Sequence, residues 1–127
     1  MSGPVRVLVV DDEPMTADSL GWLMEAGGCE ARVCHSGAEA LAEAADFRPH
    51  VCFVDLLMPG VNGLDVAAGL RALPHPPRLV TCLTGASDEA IAELVRAAGF
   101  DLHFVKPTDP RDLVLVARSV GPDEDAA

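Results

Sequence analysis

Four short apolar runs, each stopping at a polar residue, and one short alternating run between the first two constrain this chain more than any other feature. The sharpest is Val51 to Asp55, VCFVD, which ends in a carboxylate and is followed by the turn-forming MPGVNG of Met58 to Gly63. An all-apolar run of that length, closed by a turn, reads as a parallel strand covered on both faces. Asp55 then falls where the strand leaves the core and meets water, the edge at which open α/β sheets bind ligands. A carboxylate there could be a phosphate acceptor, a metal ligand, a cap or a plain surface charge, and the groups that converge on it decide.

The other runs follow the same pattern. Val5 to Val10 stops at Asp11, Asp12 and Glu13, and Pro14 suits the first turn of a helix, which Asp12 or Glu13 could simply cap. From Met15 to Glu25 the spacing places Ala17, Leu20, Leu23 and Met24 on one face, and Gly27-Gly28 ends the helix. Trp22 falls opposite with Asp18 and Glu25, either as a partner contact or packed on its neighbours. Glu30 to Cys34 alternates as a strand. Ser36 then caps a helix, with Glu39 completing a capping box and Ala38, Leu41, Ala42 and Ala45 facing inward. Arg48-Pro49-His50 breaks the chain before the third strand, and Leu64 to Leu73 forms the next helix. Arg78 to Thr84 is a fourth buried run ending in a hydroxyl. Ser87 is placed to cap a helix from Asp88 to Ala98 with Ile91, Leu94 and Val95 inward. Leu102 to Val105 is the fifth strand and ends in Lys106-Pro107. The last helix starts at Asp109-Pro110 and turns Leu113, Val116, Ala117 and Val120 to the core. Strands alternating with helices in this way imply one α/β domain, a doubly wound five-stranded parallel sheet over 1–120, followed by an acidic tail, 121–127.

A core without Tyr and with only four Phe and one Trp must be built from Val, Leu and Ala. The net charge of -11 repels nucleic acid and anionic membrane, so neither is expected as a direct partner. The N-terminus MSGPVRV lacks a basic and apolar leader, and no apolar stretch reaches the roughly 18 residues that span a bilayer, so a cytoplasmic location is expected. Cys29, Cys34, Cys52 and Cys82 lie in or beside apolar runs without C-x-x-C spacing, as buried reduced thiols do. The histidines show no zinc-ligand spacing.

Four of the five strands end in chemistry: Asp11 and Asp12, Asp55, Thr84, and Lys106. Carboxylates brought together repel unless a hard dication lies among them, and Mg²⁺ is held in that way. Lys106 is the sole lysine beside eight arginines, either a chance of composition or a need for a compact ammonium that pairs with phosphate. Thr84 could donate to a phosphoryl oxygen or merely cap the next helix.

The sequence resembles the receiver domain of two-component response regulators, from Val5 to about Val120. The resemblance rests on VLVVDDE at Val7 to Glu13, on D-LL-MPG-VNG-LD from Asp55 to Asp65, on LTG at Leu83 to Gly85 and on VKP at Val105 to Pro107. It implies the flavodoxin-like strand order 2-1-3-4-5, as in chemotaxis regulators, which sets strands one, three, four and five side by side. It also implies that Asp55 is the phosphoacceptor in a phosphorelay, fed by a histidine kinase or histidine phosphotransfer protein. Asp12, Asp55 and the backbone carbonyl of Leu57 would ligate Mg²⁺ or Mn²⁺, with Asp11 acting through water, while Lys106 and Thr84 take phosphoryl oxygens. Small Gly85 would leave room for the phosphoryl group, and Lys106-Pro107 would be cis. Such a domain is no turnover enzyme and catalyses only its own phosphorylation and dephosphorylation. The readout implied is movement of Thr84 and of the switch residue, acting on a partner at the face made by the fourth helix, fifth strand and fifth helix. The switch position, usually Tyr or Phe, holds His103.

GFDLHFVKPTDPRDL is also similar to receivers of hybrid sensor kinases, so a free-standing or excised receiver is expected. Val114 and Leu115 fall off the inner stripe and could form a partner patch or a weak homodimer. Leu57 and Ala86 bring no polar group to orient water, so slow self-dephosphorylation is expected. Two other readings stand beside this one. A phosphatase of the haloacid dehalogenase type also uses a strand-end Asp with Mg²⁺ and Lys, but usually needs D-x-D after the first strand and a lid over the substrate, whereas this chain has Asp11-Asp12-Glu13 there and no lid-sized insertion. A phosphorylation-independent interaction module would have no use for intact Asp11, Asp12, Asp55, Thr84 and Lys106.

Overall fold

The computed structural model describes residues 3–85 and 88–121. Strands and helices alternate in chain order as β1 (Arg6–Val10), α1 (Pro14–Ala26), β2 (Glu30–Cys34), α2 (Gly37–Phe47) and β3 (Val51–Asp55). They continue as α3 (Gly63–Arg71), β4 (Leu79–Thr84), α4 (Glu89–Ala97), β5 (Leu102–Val105) and α5 (Pro110–Val120). The strands form one parallel sheet in the order β2-β1-β3-β4-β5, so the doubly wound fold read from the alternation is the one observed.

Because side chains alternate across a strand, each run feeds two cores. Val7, Val9, Val51 and Phe53 pack with Ala17, Leu20 and Met24 of α1 and Leu113 and Ala117 of α5. Leu8, Val10, Cys52, Val54 and Val80 pack on the other face with Ala40, Ala44 and Phe47 of α2, Val66 and Leu70 of α3 and Val95 of α4. Phe53, Leu8 and Val54 are fully buried, and each such side chain contributes about 1.5–3 kcal/mol by leaving water. The four thiols are free and buried, and burial pushes every one of them up, Cys34 and Cys82 to about 12. They are therefore protonated core side chains. Among the described residues no helix is long and apolar enough to cross a membrane.

The caps follow side-chain chemistry. Ser36 Oγ accepts from Glu39 N at 3.1 Å, and Glu39 Oε1 reaches back to His35 N at 2.7 Å. Asn62 Oδ1 accepts from Asp65 N at 3.0 Å, and Asp109 Oδ1 from Arg111 N at 3.0 Å. Ser87 lies outside the described residues, as does Ala86, and the cap of α4 is Asp88, whose Oδ1 accepts from Ile91 N at 2.9 Å. The acidic 122–127 also lies outside them.

Helix faces depart from expectation at several points. In α2 the buried residues are Gly37, Ala40, Ala44 and Phe47, while Ala38, Ala42 and Ala45 are exposed and Leu41 only packs on the margin. Alanines give almost no hydrophobic contrast, so the large aromatic Phe47 sets the phase and Leu41 falls at its margin. Leu23 and Leu94 are exposed, and Val95 is the buried residue of α4. Val116 and Val120 are half-buried against the α1/α5 core, as is Val114, which rests against Gly27 and is not on an open patch; Leu115 is exposed.

Gly63 anchors the start of α3 to the end of β3. Its N–H donates to Leu56 O at 3.0 Å, and a Cβ there would stand 2.6 Å from Asp55 O and 2.7 Å from Leu56 Cα. Backbone cannot yield as a flexible side chain does, so Gly63→Ala is expected to cost about 1–3 kcal/mol, read as a lower urea midpoint with unchanged slope.

Candidate functional site

The strand register decides which polar ends meet. Val10 is level with Val54, so Asp11 and Asp55 follow side by side; Asp55 is level with Leu83, and Thr84 with Val105. One residue further on, Lys106 N donates to Thr84 O at 2.7 Å, and the Lys106-Pro107 peptide bond is cis. The Lys106 side chain returns over the sheet edge, its Nζ 3.4 Å from Asp11 Oδ2 and 3.5 Å from Asp55 Oδ1.

Asp11, Asp12 and Asp55 each present an oxygen within 4.8 Å of the other two. Asp11 and Asp55 are buried and Asp12 is exposed, so the cluster opens to solvent on one side. Asp11 is held in place by its Oδ1, which accepts Glu13 N at 2.9 Å, and by its own N–H, which donates to Cys34 O at 3.1 Å. The cap of α1 is Glu13, through Met15 N at 3.4 Å, so Asp12 is not spent on capping.

Like charges at that separation repel by about 3 kcal/mol per pair at an effective dielectric of about 20. Burial, followed by Asp11, raises the Asp55 carboxyl from its ordinary 3.8 to about 6, with Lys106 opposing and Asp12 adding to the rise. Burial works against the Lys106 ammonium, but Asp11 and Asp55 outweigh it and hold its pKa above the ordinary value. One ammonium against three carboxylates leaves an excess of negative charge on a convergent, all-oxygen donor set. That set fits a hard dication of the Mg²⁺ or Mn²⁺ kind.

Thr84 is buried at the end of β4, beside the cluster in register. Leu57 is exposed in the loop after β3. His103 stands apart: it is level with Cys82, deeper in the sheet, and borders a hollow with Ala92, Val95 and Arg96 of α4. Its Nε2 is buried without a hydrogen-bond partner among the described residues. A groove of about 470 Å³ opens beside Lys106 between Thr16, Ser19 and Leu20 of α1 and Pro110 and Leu113 of α5. Of the two caps that sequence allowed for α1, Asp12 and Glu13, the structure uses Glu13. The supporting role of Gly63 was not assigned from sequence; a Gly at the first helical position after a capping Asn was the available signal.

Three comparisons bear on identity. The profile of the family described as "Response regulator receiver domain" matches residues 7–118. The DNA-binding response regulator MtrA of Mycolicibacterium smegmatis is 35% identical over 114 residues, 90% of this chain and 49% of its own length. Thus the chain spans about half the length of the curated relatives it matches. A CheY-like receiver domain protein from Methanospirillum hungatei superposes with a TM-score of 0.83 at 24% identity, covering 92% of this chain and 93% of that one. A Burkholderia pseudomallei response regulator, solved with a phosphorylated aspartic acid, calcium ion and citrate, gives 0.79 at 26% identity, covering 91% and 67%.

These relatives overturn the exclusion of nucleic acid drawn from charge. Proteins that share this segment are DNA-binding regulators about twice its length. The net charge of a receiver-length segment describes only that segment's surface and does not govern what such proteins bind.

The raised Asp55 carboxyl fixes the sign of a pH effect in metal-free protein. Its folded pKa exceeds the unfolded value, so the stability it contributes is complete below about 4 and is lost as pH rises through about 6. Asp55→Asn removes that loss. In chelator, the variant is expected to exceed the parent by up to about 3 kcal/mol at pH 7.5, the gap narrowing toward pH 5, as measured by urea unfolding. Level ends of parallel strands, a buried acid pair bridged by one lysine, and matches in both sequence and fold converge: the chain belongs to the response regulator receiver domain family.

Proposed function

We propose that Asp55 accepts a phosphoryl group from a phosphohistidine donor, and that this step is the signalling event of the domain. The family acts as signalling modules and not as turnover enzymes; to this domain we assign only catalysis of its own phosphorylation and dephosphorylation. The observation that carries the reading is the position of Asp55 between two further carboxylates and the Lys106 ammonium at 3.5 Å.

With its pKa near 6, Asp55 is mostly ionised at neutral pH and can act as the nucleophile. Its oxygen would attack phosphorus in line, forming the acyl phosphate O–P bond as the P–N bond to the donor imidazole breaks and the imidazole leaves. Lys106 moves from balancing Asp11 and Asp55 to balancing phosphoryl oxygens, and Thr84 would donate its hydroxyl to one of them. Asp11, Asp12, Asp55 and the Leu57 carbonyl would hold Mg²⁺ or Mn²⁺, which supplies charge neutralisation at the phosphoryl oxygens when bound. The Burkholderia regulator, described with both a phosphorylated aspartic acid and a divalent cation, supports the assignment. Thr84 and His103 are the residues we assign to the readout. An imidazole whose Nε2 has no hydrogen-bond partner among the described residues loses none by turning. Four buried free thiols suit a reducing compartment, and we assign the cytoplasm.

Incubation with Mg²⁺ and acetyl phosphate is expected to give one phosphoaspartyl adduct, mapped to Asp55 by mass spectrometry. Asp55→Asn should abolish it, and Lys106→Ala should slow it by roughly a hundredfold. An equal adduct in Asp55→Asn would refute the assignment, and turnover of phosphate esters would favour a phosphatase. Followed over time, the adduct should persist well beyond seconds, since Leu57 offers water no polar group.

Mg²⁺ should also stabilise the fold by relieving repulsion in the cluster. The parent is expected to gain about 1–3 kcal/mol at saturating metal, and Asp12→Asn to lose most of that gain, as read by urea unfolding with and without metal.

A further inference from the structure

The sheet edge opposite Asp55 is where β1, β3 and β4 begin, and Arg6, His50 and Arg78 stand at or beside their first residues. The backbone fixes the three side by side. His50 N donates to Arg6 O at 2.8 Å, Arg78 N donates to His50 O at 2.9 Å, and Arg6 N donates to His50 Nδ1 at 2.9 Å. With Arg48 and His75 they line a cavity of about 360 Å³, otherwise walled by prolines. Three of the nine basic residues of a chain with twenty acids thus share one cavity, and among the described residues no carboxylate lines it.

Arginines at this edge have a plain structural use, because helix C-termini present carbonyls there. Arg6 Nε donates to Phe47 O at 3.0 Å and Arg48 O at 2.9 Å, and Arg78 Nη1 reaches Val120 O at 3.5 Å. That use does not extend to Arg48. It follows α2 in the left-handed region at φ 52, where Gly or Asn is usual, and its guanidinium has no hydrogen bond or ion pair among the described residues. A second, apolar hollow of about 210 Å³ adjoins the first, sharing Arg48, Pro74 and His75 and closed by Ala44, Ala45 and Leu73.

We propose that this pair of hollows binds a small organic phosphate, its phosphoryl group among Arg6, Arg48 and Arg78 and its apolar body against Ala44, Ala45 and Leu73. Guanidinium forks match phosphate oxygens in pairs, and the larger hollow lies within the roughly 300–1,000 Å³ range of small-molecule sites. The chain's negative charge does not forbid it. The edge lies roughly 17 Å from Asp55 along β3, about twice the screening length of about 8 Å at physiological salt, so the carboxylates of the Asp55 cluster do not set the potential there.

The test is titration of isotope-labelled protein with adenosine monophosphate and, separately, inorganic phosphate, followed by amide resonances. Adenosine monophosphate is expected to shift the non-proline amides of residues 44–50 and 73–79 saturably, and inorganic phosphate to shift those on the arginine side only, at least about tenfold more weakly. Arg48→Glu should weaken both by about tenfold or more, and Leu73→Ala should weaken the nucleotide alone. Labelling of Asp55 by acetyl phosphate should be unchanged in Arg48→Glu, which keeps this site separate from the phosphoacceptor. Saturable shifts confined to the Asp55 edge, no saturable shift, or equal binding by folded Arg48→Glu would overturn the proposal.

Discussion

Three carboxylates and one ammonium held at the rim of a parallel sheet form the constraint on which the rest of the structure depends. Water would separate such charges; here the register of β1 and β3 forbids it, because Val10 and Val54 are level and each strand ends one residue later in an aspartate. The repulsion is visible in the raised Asp55 carboxyl and the reinforced Lys106 ammonium. The surroundings absorb it with rigid contacts: Asp11 is tied to Glu13 N and Cys34 O, and Gly63 seats α3 against Asp55 O and Leu56. Strain of this kind is useful only where an incoming group relieves it, which is why the same carboxylates read better as a receiver of charge-balancing ligands than as surface decoration.

The sheet was legible because strand signals here are strong and local. Val, Leu and Cys runs bounded by charge or hydroxyl leave little choice, and observed strand limits differ by one residue at Arg6 and Leu79. The meeting of the polar strand ends at one edge was legible for the same reason, since they are the residues that stop those runs. Helix orientation was harder. In GAEALAEAADF the alanines are nearly neutral between core and surface, so the phase of α2 is set by Phe47 and by Val61 and Val66 closing on Gly37, contacts that come from distant sequence. Leu94 illustrates the converse: a large apolar residue at a core-compatible spacing is exposed because the helix phase turns Val95 into the core, with Ile91 packed at its margin.

The charge argument failed differently. Counting twenty acids against nine bases treats the surface as uniform and the segment as the whole actor. Relatives of which this chain spans about half show that the second assumption does not hold, and the arginines at the strand starts show that the first does not either.

Both edges of the sheet follow from one geometric fact. In a parallel sheet with crossover helices, every strand runs one way and every helix returns the other, so helix N-termini collect at the C-terminal edge of the strands and helix C-termini at the opposite edge. The partial positive charge at the start of α1, two residues after Asp12, is worth about 0.3–1 kcal/mol to a nearby anion, which lets the Asp55 edge hold more carboxylate than Lys106 alone could balance. The other edge gathers carbonyls such as Phe47 O and Val120 O, and arginines are drawn to them. An acidic site and a basic hollow at opposite poles are therefore complementary results of one topology. What the topology does not supply is a guanidinium such as that of Arg48, which has no hydrogen bond or ion pair among the described residues, and that residue is where the basic edge departs from simple helix capping.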